Sequence, residues 1–465
     1  MTRYLPLAIV AAGWAFVVAY AHPGVMSVDS HYQLVQARTG AWGNWHPPVM
    51  AALWGVLDRI VAGPLLLLLL QTSLFALGLF ALARRYFAPR TAAIVTAAML
   101  VFPPVFVVLA GAWKDALMAA LLVCGAAGLL SARRPARAGG WIALVLASAL
   151  RHNAALIVVP LVAMLARLPA GWPAWRQRAA GALLGIAVAV TGALGDHALT
   201  RVDEHPFANM LAMSDVAGTI AHAPELSDAE VRALLAGTPL RGAPDHLQAR
   251  LRELRVERSG WESLALGDDR LFDLATTDEQ ADALVAAWKH AIAAYPGAYA
   301  AHRLSVFGRT MGWNGPKPNF TTPLDEPSEL LASIGETRSY DGFQRAVSRG
   351  LHAIRKWPLF SPILYLVLAA GLLVVLWRDP LQRGLLGGAL VYELSLVVLS
   401  PGGHDFRYVH WLVVVSVFAA IVHVGAALRE RHLHEQQVDH QEPERGPSHG
   451  AQHRSDAPGS VRAGG

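Results

Sequence analysis

Apolar residues in this chain gather into long blocks separated by short polar stretches. Leu5–Ala21, Pro64–Ala83, Thr91–Leu109, Ala116–Leu130 and Ala179–Leu194 lie in the first half. Leu359–Trp377, Gly384–Leu399 and Val409–Leu428 follow near the other end. Blocks of this length, almost free of charge, suffice to cross ~30 Å of hydrocarbon or nearly so. Trp141–Leu165 reads as two shorter crossings broken at Arg151-His152-Asn153. Pro47–Ile60 is apolar but short, and reads as an interfacial or re-entrant helix. The pattern predicts an all-α membrane protein with about ten transmembrane helices.

Between residues 198 and 357 the pattern changes. This stretch is polar and punctuated by Gly and Pro, with helical periodicity at Ser227–Leu235, His246–Val256 and Thr277–Tyr295 and little strand alternation. Ser227 stands as an N-cap, with Asp228 and Glu230 in the first turn. The expected organisation is a transmembrane region at 1–197 with a first outer loop at 22–46, and a mostly helical outer segment at 198–357. Three C-terminal spans at 358–428 and a disordered tail at 429–465 complete it. The tail carries His432, His434, His440, His449 and His453, and is read as solvated chain rather than a metal site.

Composition agrees with the pattern. Of 465 residues, 54% are hydrophobic and only 16% charged, against about 25% charged in soluble domains. The first block, after Thr2-Arg3, is read as a retained helix rather than a cleaved signal peptide. The lone Cys124 excludes an intramolecular disulfide. A net charge of +5 is modest, and the arginines mark topology, not a nucleic-acid surface.

Short basic loops belong in the cytoplasm. Arg84-Arg85 with Arg90, Arg133-Arg134 with Arg137, and Arg167 with Arg176 and Arg178 are three such loops. Placing them inside requires Trp141–Leu165 to be a hairpin; a single tilted helix with Arg151 buried would put Arg167 outside. Alternation then puts residues 198–357 on the outer face. Ser27–His46, Trp113–Asp115, Arg151–Asn153 and His404–Tyr408 fall there too.

These four polar loops hold the candidate chemistry. The first carries a lone carboxylate, Asp29, with His31, and later His46-Pro47-Pro48. On residue type alone Asp29 could simply cap the following helix. The others contribute Lys114 and Asp115; Arg151, His152 and Asn153; and His404, Arg407 and Tyr408. Arg303, at the end of a helix in the outer segment, adds a fifth position. One candidate base and several cations at a membrane surface suit transfer of a group from a lipid phosphate. A carboxylate takes the proton of an acceptor hydroxyl, and Lys or Arg holds a phosphate whose charge grows as its bond breaks.

In these residues the chain resembles the GT-C superfamily of membrane glycosyltransferases. The likeness is to the bacterial branch of protein mannosyltransferase-like and lipopolysaccharide glycosyltransferase-like enzymes. It is carried by Ser27-Val28-Asp29-Ser30-His31, His46-Pro47-Pro48, Lys114-Asp115, Arg151-His152-Asn153 and Arg407-Tyr408. The resemblance implies an inverting transferase of the bacterial cytoplasmic membrane, with its active site on the periplasmic face. It implies a polyprenyl-phosphate-linked sugar donor and a lipid-linked glycan, lipid A or protein acceptor. Asp29 would be the catalytic carboxylate. Lys114, Arg151, Arg303 and Arg407 would hold the donor phosphate, and His31, His46, Asp115, His152, Asn153, His404 and Tyr408 would line the site. Many relatives carry two acids close together in the first loop; here Ser30 and His31 follow Asp29 instead, which counts against a metal-binding role and leaves a divalent cation (Mg or Mn) open. A polysaccharide polymerase, an O-antigen-ligase-type enzyme or a transporter are the competing readings. The transporter reading would use Glu393, within the penultimate block.

Overall fold

The computed structural model describes residues 4–242, 245–254, 260–313, 319–400, 402–403 and 405–441, with side chains at 152 and 433–441 left out. Residues 1–421 form one compact unit and Val422–Gly465 a second. Among the described residues the chain is helical, with isolated β-bridges but no strands.

The membrane region begins with α1 (Leu5–Ala21), α2 (Val28–Thr39), α3 (Pro48–Asp58), α4 (Leu65–Ala83), α5 (Pro89–Val101) and α6 (Pro103–Leu109). It continues with α7 (Lys114–Leu130), α8 (Arg134–Leu150), α9 (Ala155–Leu165) and α10 (Ala174–Leu199). Among the described residues four helices are each long and apolar enough to cross a membrane, Leu65–Ala83, Ala174–Leu199, Pro380–Leu399 and Phe406–His432, or five if the bent pair Pro89–Val101 and Pro103–Leu109 is one span. Several expected crossings are shorter or interrupted. Thr91–Leu109 bends by 69° where α5 meets α6. The cause is Pro103-Pro104, which lack amide donors and force Phe102 into an extended conformation. Leu5–Ala21, Pro48–Asp58, Ala155–Leu165 and Pro362–Val375 are apolar but shorter.

Helix α7 is apolar and buried on nearly every face, so it forms the centre of the bundle. It packs closely along α8, where a Cβ on Gly128 would stand 2.6 Å from the Cα of Gly140. The stretch read as a hairpin is one. The end of α8 brings Arg151 to Asp115 at the start of α7. The end of α9 brings Arg167 to the carbonyl of Leu130, 3.0 Å away at the other end of α7.

The outer segment has its own core, built from Val216, Ile220, Leu247, Leu251, Leu264, Phe272 and Leu284. Its helices are α11 (Met213–His222), α12 (Asp228–Leu234), α13 (Leu247–Leu254), α14 (Glu262–Ala265), α15 (Asp278–Ala294), α16 (Pro296–Thr310), α17 (Ser328–Ala332) and α18 (Gly342–Ile354). Ser227 caps α12 in a reciprocal box with Glu230, as its spacing predicts. Helices α19 (Pro362–Val375), α20 (Pro380–Leu399) and α21 (His410–Gln441) close the chain. Helix α21 continues to Gln441, past residue 429 where composition predicts disorder. Residues 442–465, with His449 and His453, lie outside the described residues.

Candidate active site at the membrane face

The turn between α6 and α7 is the platform of the site. Val25 bridges to Gly111, donating to the Ala110 carbonyl at 3.2 Å and accepting from Ala112 N at 2.8 Å. Gln71 Nε2 of α4 donates to the carbonyls of Leu109 and Gly111 at 2.8 and 2.7 Å. These bonds satisfy a buried turn that would otherwise lose its backbone partners. Ser27 caps α2, exchanging hydrogen bonds with Ser30, whose hydroxyl also donates to Ala112 O at 3.0 Å. Trp113 Nε1 donates to Ser27 Oγ at 2.9 Å.

The capping role open to Asp29 is therefore filled by Ser27. Asp29 is left free at the second position of α2, where the helix dipole favours an anion. Its Oδ2 stands 2.6 Å from Nη1 of Arg407, which also holds Asp405 through Nε at 3.0 Å. Its Oδ1 lies 3.8 Å from His46 Nε2. His46 Nδ1 is 3.1 Å from Lys114 Nζ.

The charges decide the protonation states. Burial and then Lys114 push His46 down to about 3, so the imidazole is neutral at neutral pH. Its Nδ1 accepts from the Lys114 ammonium, which places the ring proton on Nε2, facing Asp29. For Asp29 burial acts upward, but Arg407, His46 and Lys114 outweigh it and hold the carboxyl well below the usual carboxylate range.

A second ion pair lies beside the first. Arg151 pairs with the buried Asp115. The Arg151 and Arg407 guanidinium carbons each lie 5.4 Å from the ring centroid of Tyr408, so this ring links the two pairs. Arg407 also stands 5.6 Å from the Trp113 ring, and Asn153 lies beside Tyr392, which Arg151 approaches at 5.8 Å. Asp29, His46, Lys114, Asp115, Arg151, Arg407, Tyr408 and, at the edge, Asn153 thus meet from separate parts of the chain.

No protein-family profile matches the chain, and no curated protein matches it. Among solved structures, the crystal structure of ArnT from Cupriavidus metallidurans bound to undecaprenyl phosphate aligns with 89% of this chain and 77% of that chain. The identity is 14% and the TM-score 0.33.

Arg303 is not part of the cluster. It is buried, with Nη1 2.8 Å from Asp215 Oδ1 and 2.9 Å from Ser400 O, and Nε 2.8 Å from Val397 O. Its donors are consumed by Asp215 and by the carbonyls at the end of α20, so it holds that helix end to α11. These bonds engage the donors that a phosphate would need. His31, two residues past Asp29, is turned about 200° around α2 from it, and its Nε2 is buried with no hydrogen-bond partner among the described residues. His152 opens a short 3-10 turn, but its side chain is outside the described set, and so is all of His404.

Sequence reasoning missed Glu262 of α14. It lies near enough to the site for its charges to act: desolvation, then Asp29 and Asp405, raise its carboxyl, while Arg407 lowers it. Its neighbour Trp261 packs edge-on against Trp45, 4.8 Å between ring centroids. Nothing local in the sequence signals this, because α14 reaches the site only through the outer segment's own packing. Glu393 is fully buried in α20, and neither carboxylate oxygen has a hydrogen-bond partner among the described residues. Among the described residues no group of three His, Cys, Asp or Glu side chains is placed to hold a metal ion.

Proposed function

We propose that this protein is a membrane glycosyltransferase of the GT-C type that transfers a sugar from a polyprenyl-phosphate donor to an acceptor hydroxyl. The observation that carries the reading is Asp29, ionised and shared between Arg407 and the His46–Lys114 pair, beside the end of a membrane helix. Asp29 receives the proton as the acceptor oxygen attacks the anomeric carbon. The bond from that carbon to the phosphate oxygen breaks, and polyprenyl phosphate leaves with the electron pair. Direct displacement of this kind inverts the anomeric centre.

Charge balance assigns the phosphate's first contact. Arg407 is already paired with Asp29 and Asp405, and Arg151 with Asp115. Among the described residues no carboxylate pairs with Lys114. Lys114 is therefore the cation most available to the donor phosphate, and Arg407 follows as the phosphate competes with Asp29 for its fork. That competition frees a carboxylate oxygen for the acceptor proton. The basic loops support a site on the face away from the cytoplasm, which in the bacterial cytoplasmic membrane that the resemblance implies is the periplasmic face.

The test is transfer of radiolabelled sugar from a panel of polyprenyl-phosphate donors in membranes holding wild type or Asp29→Asn at matched levels. Transfer by wild type and its loss in the variant support the reading. Full activity in the variant removes Asp29 from the mechanism. No transfer from any donor returns weight to the polymerase and transporter readings.

A further inference from the structure

We propose that α18 and the adjoining end of α1 form a binding site for an anionic phospholipid of the surrounding leaflet. It is separate from the Asp29 site and does not depend on the transferase reading.

The first observation is position. Gln344 Nε2 donates to the carbonyls of Tyr20 and His22 at 3.1 and 2.7 Å, tying α18 to the end of the apolar helix α1. Phe343 meets Phe16 edge-on at 5.7 Å. Trp357 is 57% exposed just after α18, and the apolar helix α19 begins a few residues later. An amphipathic helix held between two apolar helix ends, flanked by an exposed tryptophan, lies at the depth of lipid head groups.

The second observation is charge. From Gly342 to Trp357 the chain carries Arg345, Arg349, Arg355 and Lys356 and no acid. The buried stripe of α18 is Gln344, Ser348 and Leu351, which leaves Arg345 and Arg349 exposed one turn apart. Among the described residues no carboxylate pairs with Arg345, Arg349 or Arg355. Arg345 donates to the carbonyl of Tyr340, Arg349 Nε to that of Arg345 at 3.3 Å, and Arg355 lies over the Phe320 ring at 5.1 Å. Like charges one turn apart repel, and an anion between them removes that cost.

The third observation is a groove of about 370 Å³ where α18 meets α1. It is walled by Trp14, Ala15, Val18 and Ala19 and closed at its polar end by His22, Asp341 and Gln344. The Asp341 carboxylate is occupied in capping α18, accepting from Gln344 N at 2.8 Å. Ala15 and Ala19 are exposed and one turn apart, so their small side chains open the groove toward lipid. The apolar wall takes an acyl chain, and Arg345 and Arg349, which do not line the groove, stand on the exposed face of the same helix, where the lipid's phosphate meets them.

The experiment uses the full-length protein, reconstituted in vesicles of equal dioleoylphosphatidylglycerol and dioleoylphosphatidylcholine and re-extracted in mild detergent. Retained phospholipid is quantified by mass spectrometry. Wild type should retain phosphatidylglycerol preferentially, and Arg345→Gln/Arg349→Gln/Arg355→Gln should lose most of that preference. Ala15→Phe/Ala19→Phe should retain less of the lipid with its charge unchanged. Should the triple variant fail to fold, Arg345→Gln and Arg349→Gln singly should each lower the preference, by up to about fivefold. Equal retention of both lipids by wild type overturns the proposal. So does wild-type preference in the arginine variants, which would assign the lipid to the basic loops instead.

Discussion

Arg407 Nη1 stands 2.6 Å from Asp29 Oδ2, joining the turn before the last helix to the first loop of the chain. The same guanidinium also lies 3.0 Å from Asp405 through Nε, an ion pair without hydrogen-bond geometry, so its charge is shared between two carboxylates. A lysine would keep the charge but not the fork. Arg407→Lys should therefore lower transfer by about tenfold or more, and Arg407→Gln further, because the charge-assisted bonds at stake are worth about 1.5–3 kcal/mol each. Initial rates across donor concentrations check this; equal rates for Lys and wild type would make Arg407 a point charge only.

The Asp115–Arg151 pair lies deeper, with Asp115 only 1% exposed. Asp115→Asn leaves Arg151 without its carboxylate in a buried setting. A cost of about 3–5 kcal/mol is expected from breaking one side of such a pair. Asp115→Leu/Arg151→Met, which removes both charges, should be closer to wild type. Thermal unfolding in detergent distinguishes the cases, and a double variant no more stable than Asp115→Asn would show that the pair is not coupled.

Much of this architecture is legible in the chain because it rests on local signals. Ser227 and Glu230 announce the cap of α12 three residues apart, and Arg151-His152-Asn153 interrupts an apolar run where α8 ends. The polar loops named from sequence do meet, since short loops at helix ends on one face have few other places to go. What fails is whatever depends on packing between distant helices. Apolar composition does not reveal the bend at Phe102 or how short α3, α9 and α19 are. Arg303 looks like a ligand by type, and its contacts with Asp215 and the end of α20 are encoded by no spacing in α16. Glu262 and the Trp261–Trp45 contact are invisible for the same reason.

Arg303 and Lys114 should therefore separate cleanly. Arg303→Ala takes the guanidinium from the buried Asp215, which keeps Trp288 Nε1 at 3.0 Å, and frees the carbonyls of Val397 and Ser400, so it should cost about 3 kcal/mol of stability. Its folded fraction should keep an unchanged KM for the donor. Lys114→Met should do the reverse, with donor KM raised about tenfold or more through loss of a phosphate contact and a smaller change in Tm. A raised donor KM in Arg303→Ala would restore Arg303 to the phosphate site.

Acid should expose His46 before Asp29. Burial and Lys114 hold His46 at about 3 in the folded protein, against about 6.5 when unfolded. The unfolded chain therefore takes up this proton first. The stability owed to a neutral His46 is complete above about pH 6.5 and falls as pH drops toward about 3. Asp29 is also depressed, so its contribution stays intact above about pH 4 and is lost only as pH falls through its folded value. His46→Gln removes the first of these and should flatten the fall in Tm between about pH 6.5 and about pH 4. A residual slope remains from His302, which burial also lowers. Scanning calorimetry of both proteins in detergent across that range measures the difference. Identical slopes would mean that His46 protonates as readily folded as unfolded, and that the Lys114–His46–Asp29 arrangement does not hold in solution.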